Sequence, residues 1–176
     1  MNEITLLTLS EFELSLIDFL SENIENELEI KIIREKNFIH IADYYNIERR
    51  QYNADKILKF VYDSQNIFQN TKVIALLDID LYIPILTYIF GQAYLNGNAG
   101  IASSYRLKHE RYGMKKNEKQ FRHRFLKEIL HELGHTYGLK HCLNTNCVMR
   151  SSTYVEDIDQ KKSSFCKQCK LKIKTS

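Results

Sequence analysis

The chain has 176 residues, 44% of them hydrophobic and 27% charged, and its formal net charge is +3. This composition predicts one compact domain over residues 1–176 and excludes a disordered or fibrous chain. The small net charge gives no indication of a nucleic-acid or membrane partner. No segment resembles a signal peptide or is long and apolar enough to span a bilayer, so we expect a soluble, cytoplasmic protein. We also expect a monomer.

Hydrophobic patterns in the first half of the chain predict alternating strands and helices. We expect a strand from Asn2 to Leu7, then an amphipathic helix with Ser10 and Glu13 as a capping box. Leu28 to Ile33 alternates as a strand does, and Asp55 to Ile67 has near-helical spacing. The order predicts an α/β fold.

The middle of the chain predicts more sheet. Val73 to Leu77 is a continuous apolar run, as in a strand that is buried on both faces. Two segments are β-prone, Tyr88 to Tyr94 and Ile101 to Leu107. The sequence Asn96-Gly97-Asn98 between them is typical of a tight turn. We therefore expect a hairpin here.

A long helix is predicted next, followed by a polar tail. Asn117 with Gln120 is a candidate N-cap. The predicted buried face of this helix consists of Phe121, Phe125, Ile129 and Leu133. Residues Ser151 to Ser176 are polar and rich in lysine with little periodicity, so we expect this tail to need a cross-link to remain folded.

The end of the long helix carries the sequence HELGHTYGLKH, residues 131–141, which matches the pattern H-E-x-x-H-x-x-G-x-x-H. His131 and His135 would lie one turn apart on one helix face, so both imidazoles can reach one zinc ion. Gly138 can take a positive φ, end the helix and let His141 approach as the third ligand. A rival ligand set would replace His141 with an acidic residue such as Glu156.

Glu132 directly follows the first of these histidines. Its carboxylate can reach a zinc-bound water without itself binding the metal, as a general base must. The pattern therefore predicts a zinc-dependent metallohydrolase that cleaves peptide bonds.

The four cysteines of the chain form two closely spaced pairs. Cys142 is followed by Cys147, and Cys166 by Cys169. Four thiolates form a closed tetrahedral site without room for water, so we predict a second, structural zinc that connects the tail to the residues after His141. Two disulfides, free thiols, or iron in place of zinc remain alternatives.

These motifs together resemble the archaemetzincins. The resemblance is carried by residues 131–142, by Cys147-Val148-Met149 and by the FCKQC segment at 165–169. Weaker similarity extends upstream through LDIDLY at 77–82, FGQA at 90–93 and ASS at 102–104.

The resemblance implies a metzincin-like fold, in which a twisted mixed β-sheet covers an active-site helix. It also implies an N-terminal subdomain over 1–138, which includes this helix, and a small C-terminal subdomain over 139–176 held by the four-cysteine zinc. Met149 would form a methionine turn beneath the catalytic metal, although it could instead be an ordinary core residue.

By the same resemblance, the strand at 88–94 would be an edge strand that binds an extended peptide substrate. Its substrate-binding residues would be Gly91, Gln92 and Ala93, although an ordinary paired strand is also compatible with the pattern. The family resemblance allows either an internal peptidase or an aminopeptidase.

A different class of function is also open. The four-cysteine site could stabilise a binding module that presents a basic surface to nucleic acid or protein. That surface would consist of Lys161, Lys162, Lys167, Lys170, Lys172 and Lys174. Glu132 distinguishes the two hypotheses, because a binding module needs no general base.

Overall fold

A computed structural model describes residues 3–64 and 71–175. The first predicted strand begins at Asn2, and the predicted helix from Asp55 extends to Ile67. Asn2 and residues 65–67 lie outside the described part of the chain. The strands are β1 Glu3–Thr8, β2 Lys31–Lys36, β3 Tyr45–Asn46, β4 Gln51–Asn53, β5 Lys72–Leu77, β6 Leu81–Tyr82, β7 Gly91–Ala93 and β8 Ala99–Ser103. The α-helices are α1 Leu14–Leu28, α2 Ala54–Asp63, α3 Glu118–Thr136, α4 Val155–Gln160 and α5 Lys167–Lys174.

The main sheet has five strands in the order β2-β1-β5-β8-β7. The first four strands run parallel, and β7 pairs antiparallel with β8. A smaller sheet has the order β3-β4-β6. The predicted mixed α/β architecture is confirmed.

Both faces of the main sheet are covered. On β5, Ile74 and Leu76 pack with α1 and α3 on one face, and Val73, Ala75 and Leu77 pack with α2 on the other. All five side chains are fully buried. The continuous apolar run of this strand is thus explained by burial on both sides.

The predicted hairpin is confirmed, but its strands are shorter than expected. The antiparallel pair is limited to β7 and β8, and Tyr105–Leu107 forms a 3-10 helix instead of continuing β8. Asn96 turns the chain with a φ of 55°. The shortened β7 lies at the end of the main sheet, above α3.

Two local predictions were wrong, and the tail contains helices that the sequence did not predict. No side chain caps α1, because the Ser10 hydroxyl instead accepts a hydrogen bond from the Asp78 amide at 3.0 Å. Leu28 ends α1, and the strand that follows begins only at Lys31. The polar tail contains α4 and α5, whose few apolar positions become buried only when the tail packs on α3.

The N-cap of α3 is as predicted, since Asn117 Oδ1 accepts a hydrogen bond from the Gln120 amide at 3.0 Å. Phe125, Ile129 and Leu133 are fully buried, which fixes the rotation of α3 against the sheet. Within residues 3–64 and 71–175, no helix combines the length and the apolar character needed to cross a membrane.

Candidate metal centres

The final turns of α3 bring two histidines together. His131 and His135 are four residues apart and share a helix face. Their ring centroids are 4.7 Å apart and their Nε2 atoms 3.1 Å apart. The helix therefore directs both Nε2 atoms toward one point.

A turn at Gly138 brings the third histidine to the same point. Gly138 has a φ of 78°, and its amide donates to His135 O at 2.9 Å while the Leu139 amide donates to Gly134 O at 3.0 Å. The reversed chain places the His141 ring centroid 5.2 Å from those of the two helical histidines. One nitrogen from each ring lies within 4.8 Å of the others.

The protonation of these rings suits a metal. Nδ1 of His131 lies 2.9 Å from Val148 O, and Nδ1 of His135 lies 2.7 Å from Leu139 O. A carbonyl oxygen only accepts, so each Nδ1 carries the hydrogen and each Nε2 keeps its lone pair. Burial also lowers the pKa of all three histidines, most strongly that of His131, which favours the neutral, metal-binding form.

Three neutral imidazoles that converge in this way fit zinc, which commonly takes three protein ligands at catalytic sites. Within the described part of the chain, the group that converges here contains no acidic residue, and Glu156 is not a member. The structure therefore brings together the set predicted from the motif and not its rival.

Glu132 lies beside this group and is only 4% exposed. Its Oε2 atom is buried and has no hydrogen-bond partner among the residues that the structure describes. Burial, followed by the charge of Glu128 and a hydrogen bond with it, raises the pKa of Glu132 well above its ordinary value. Glu132 also lines the neighbouring cleft, so its side chain lies beside any molecule that binds there.

The edge strand passes directly over Glu132. A Cβ atom on Gly91 would lie 2.8 Å from Glu132 Cγ, 2.9 Å from Glu132 Oε1 and 2.7 Å from Ile101 O. Glycine is therefore required where β7 crosses the carboxylate. The next side chain, Gln92, donates to Asp55 at 2.8 Å.

A cleft of about 850 Å³ lies between β7 and α3. The cleft is lined by the histidine group and Glu132. It is also lined by the three predicted substrate-binding residues, Gly91, Gln92 and Ala93. Residues 151–154 form part of the opposite wall. The cleft is large enough for a short peptide to lie across the site.

Met149 is fully buried beneath α3. A Cβ atom on Gly134 would collide with its sulfur, so the helix and the methionine pack without intervening atoms. Met149 O accepts from the Cys142 amide at 2.9 Å, and the preceding carbonyl, that of Val148, holds His131. The segment around Met149 thus supports two of the three histidines.

The four cysteines form a second group, with their sulfur atoms within 4.8 Å of one another. Cys142 Sγ lies 3.9 Å from Cys166 Sγ, and Cys147 Sγ lies 3.8 Å from Cys169 Sγ. All four are thiols, at distances far beyond the ~2.05 Å of a disulfide bond. The arrangement suits a tetrahedral metal and contradicts the two-disulfide alternative.

Sequence reasoning missed the place of three residues in this region. Gly134 carries a recognisable signal, because it lies inside the histidine motif. Glu128 is buried one turn before Glu132, which its helical spacing indicates. Lys161 was assigned to a basic surface, and this was wrong, because the structure buries it to 2% exposure in the cleft wall.

A zinc-suited histidine group, a buried glutamate and a peptide-sized cleft beneath an edge strand are the features of a zinc-dependent metallopeptidase. The sequence comparisons identify the family. The profile of peptidase family M54 matches residues 1–175, and the chain belongs to this family. The resemblance to the archaemetzincins is thereby confirmed.

Curated relatives agree with this assignment. The chain is 38% identical to an archaemetzincin of Saccharolobus solfataricus over 172 residues, which cover 97% of this chain and 92% of that protein. It is 40% identical to an archaemetzincin of Sulfolobus acidocaldarius over 141 residues, which cover 80% of this chain and 78% of the relative.

Solved structures show the same fold. A zinc-dependent peptidase from Methanocorpusculum labreanum superimposes with a TM-score of 0.87 at 28% identity, covering 97% of this chain and 99% of the other. The archaemetzincin of Methanopyrus kandleri gives a TM-score of 0.85 at 29% identity and covers 99% and 94% of the two chains. The predicted metzincin-like fold is confirmed.

Proposed function

We propose that the chain hydrolyses peptide bonds at a zinc ion held by His131, His135 and His141, with Glu132 as the general base. The observation that carries this proposal is the buried Glu132 Oε2, which has no hydrogen-bond partner in the described protein and lies beside three convergent imidazoles. When bound, zinc would polarise the substrate carbonyl and lower the pKa of water.

The protein's own groups would then act in a defined order. A peptide pairs with the free edge of β7, so that its main chain is held across the cleft by Gly91, Gln92 and Ala93. Glu132 takes a proton from the attacking water at its carboxylate. It then transfers that proton to the nitrogen of the leaving amine, so that no net proton is gained or lost by the enzyme.

The four cysteines would hold a second, structural zinc. This site joins the start of the segment 139–176 to its end, because Cys142 and Cys147 precede α4 and Cys166 and Cys169 begin α5. We place the boundary between an N-terminal subdomain over 1–138 and a C-terminal subdomain over 139–176 at this turn. Met149 belongs to the second subdomain and supports the site from below.

The contacts of the tail lysines favour the peptidase over a binding module. Lys161 is buried, and Lys170 and Lys174 pair with acidic residues of α1 and its C-cap, Glu27 at 3.5 Å and Glu29 at 3.4 Å. At least three of the six lysines of the proposed basic surface are therefore buried or already lie beside an acidic side chain, which weakens its case as a polyanion site.

The substitution Glu132→Gln tests the proposal, because glutamine keeps the shape of the side chain and cannot accept the proton. We expect peptide cleavage to fall by at least about 10² in rate while both zinc ions are retained. A library of peptides with free and blocked termini, followed by mass spectrometry, also shows whether ends or internal bonds are cut. Cleavage that persists in the variant at the wild-type rate would exclude Glu132 as the base.

A further inference from the structure

A stretch of chain without any charge borders the cleft before and within β7. Residues 81–93 contain no charged residue and no histidine, in a chain of which 27% is charged. Three apolar residues of this stretch line the cleft, namely Ile83, Leu86 and Ile89. This wall therefore offers a bound molecule apolar side chains and no ionic partner.

The opposite wall is uncharged as well. Residues 151–154 are two serines, a threonine and a tyrosine, and all four line the cleft. The Tyr88 hydroxyl donates to Thr153 O at 3.0 Å, so the two uncharged walls meet here. A charged substrate side chain between them would lose hydrating water without gaining an opposite charge, so the geometry favours an uncharged one.

The chain between β6 and β7 forms a tight turn, residues 83–86. The Leu86 amide donates to Ile83 O at 3.1 Å, which closes the turn. Pro84, the only proline of the chain, occupies its second position, where the fixed φ of proline suits a turn. The flanking chain is paired too, since the Ile89 amide donates to Leu81 O at 3.0 Å. The main chain of the turn is therefore restricted by its own sequence.

A single guanidinium then holds three carbonyl groups of this turn. Arg49 Nη1 donates to Leu86 O at 2.9 Å and to Ile83 O at 3.3 Å. Its Nη2 donates to Pro84 O at 3.3 Å. The guanidinium also lies over the ring of Tyr82, 4.4 Å from the centroid. Because its donors form a rigid planar fork, Arg49 fixes the direction of the turn and not only its position.

Leu86 is thus presented to the cleft on a fixed main chain. The next carbonyl is held as well, because Gln51 Nε2 donates to Thr87 O at 2.8 Å. The Leu86 side chain nevertheless stays 48% exposed at the cleft wall. Covering it with another apolar group would be favourable, and a turn that is already ordered adds little entropic cost to binding.

We propose that Leu86 is a specificity-determining residue that selects substrates with a large apolar side chain, and that Arg49 is the positioning residue that holds it at the cleft wall. This inference rests on the proposed function and adds a class of substrate to it. The turn directly precedes β7, so a peptide paired with that strand would place one of its side chains against Leu86.

Each of the two residues has a neighbour that serves as a matched control. Ile85 lies in the same turn and is 86% exposed, but it is not among the described residues that line the cleft. Arg50 is exposed and, within the described part of the chain, makes no hydrogen bond or ion pair with the turn. Ile85→Ala therefore removes exposed apolar surface outside the cleft, and Arg50→Met removes a positive charge without releasing the turn.

Peptide binding to the zinc-loaded Glu132→Gln protein tests the subsite without turnover. The probes are hexa-alanine and six versions of it that each carry one leucine, with free and with blocked ends, and Kd is measured by calorimetry. One methylene group in an apolar pocket is worth about tenfold or more in discrimination. We therefore expect at least one leucine peptide to bind about tenfold or more tighter than hexa-alanine, and lysine or glutamate at the same position to lose this gain.

The ratio of these two affinities is the quantity to follow in the variants. Leu86→Ala should bring it to within about threefold of one, and Arg49→Met should lower it by about threefold or more, because the turn is no longer held. Ile85→Ala and Arg50→Met should leave the ratio unchanged. A general loss of folding would weaken both peptides alike and would not move the ratio selectively.

Three results would overturn the proposal. The first is the absence of any leucine preference, or a preference for lysine or glutamate, in the parent protein. The second is a ratio that Leu86→Ala leaves unchanged or that Ile85→Ala lowers equally. The third is an equal effect of Arg49→Met and Arg50→Met, which would reduce the role of Arg49 to its charge.

The experiment separates this inference from the proposed function. A leucine preference in binding, together with no cleavage of the same peptides by the wild-type protein, would support the subsite and refute the peptidase. Cleavage by the wild-type protein without a leucine preference would do the reverse.

Discussion

Replacing Gly91 with alanine would place a methyl group between β7 and the carboxylate of Glu132. The added carbon would lie 2.9 Å from Glu132 Oε1 and 2.7 Å from Ile101 O. Ordinary contacts between such atoms begin near ~3.4 Å, so either the carboxylate or the strand must move by roughly half an ångström. A displacement of about 1 Å at a catalytic group can cost 10² in rate.

We therefore expect Gly91→Ala to lower kcat/KM by about tenfold to a hundredfold. Zinc content should not change, because none of the proposed ligands lies against the new methyl group. The assay is steady-state cleavage of a peptide selected from the library, with metal content measured on the same sample.

Gly100→Ala is the matched control for this substitution. Its Cβ would meet the end of the Ile74 side chain at 2.6 Å and Ala93 Cβ at 3.1 Å, and no atom of Glu132 is among its nearest neighbours. The variant therefore also presses on β7 and controls for displacement of the strand without a clash at the carboxylate. Both variants should lose about 1–3 kcal/mol of stability through overpacking. If Gly91→Ala keeps wild-type kcat/KM, or if the two variants lose activity equally, the close approach of β7 to the base has no catalytic role.

Three further predictions concern the surroundings of the site. Cys169→Ser should remove the second zinc and lower the melting temperature, and loss of one metal with an unchanged melting temperature would contradict a structural role. Gly134→Ala should destabilise the fold by about 2 kcal/mol or more, because the new methyl group collides with Met149 inside the core; a urea midpoint equal to wild type would refute this. Asp159→Asn should cost about 3 kcal/mol at neutral pH, since it leaves the buried guanidinium of Arg124 unpaired. Burial raises the pKa of Asp159, but its hydrogen bonds and the nearby positive charges outweigh this and leave the pKa lowered. The contribution of Asp159 to stability is therefore present above the ordinary carboxyl pKa of about 3.9 and is lost as the pH falls through the lower folded value. Urea midpoints of wild type and variant should accordingly converge below that pH, and a constant difference down to pH 2 would refute the pairing.

The composition of the histidine group followed from local sequence alone. Helical periodicity places residues four apart on one face, and a glycine with positive φ is a general way to end a helix. The spacing of His131, His135 and Gly138 therefore carried most of the geometry. The cysteine pairs were likewise readable, because short loops keep two thiolates within reach of one metal.

The tail was the least predictable segment. The apolar residues Val155, Ile158 and Ile173 of α4 and α5 are too few to produce a periodic signal, and all three become buried against the main core. Lys161 was misassigned for the same reason, because nothing in its neighbours marks it as interior.

The sequence by itself predicted which histidines and cysteines form the two groups, which glutamate lies beside the histidines, and the order of the main strands and helices. These properties depend on residue type and on spacing within one or two turns of chain. Only the tertiary structure decided that Gly91 lies against Glu132 and that Lys161 is buried beside His131. Such contacts join residues tens of positions apart, and long-range packing rather than local propensity determines which of them meet.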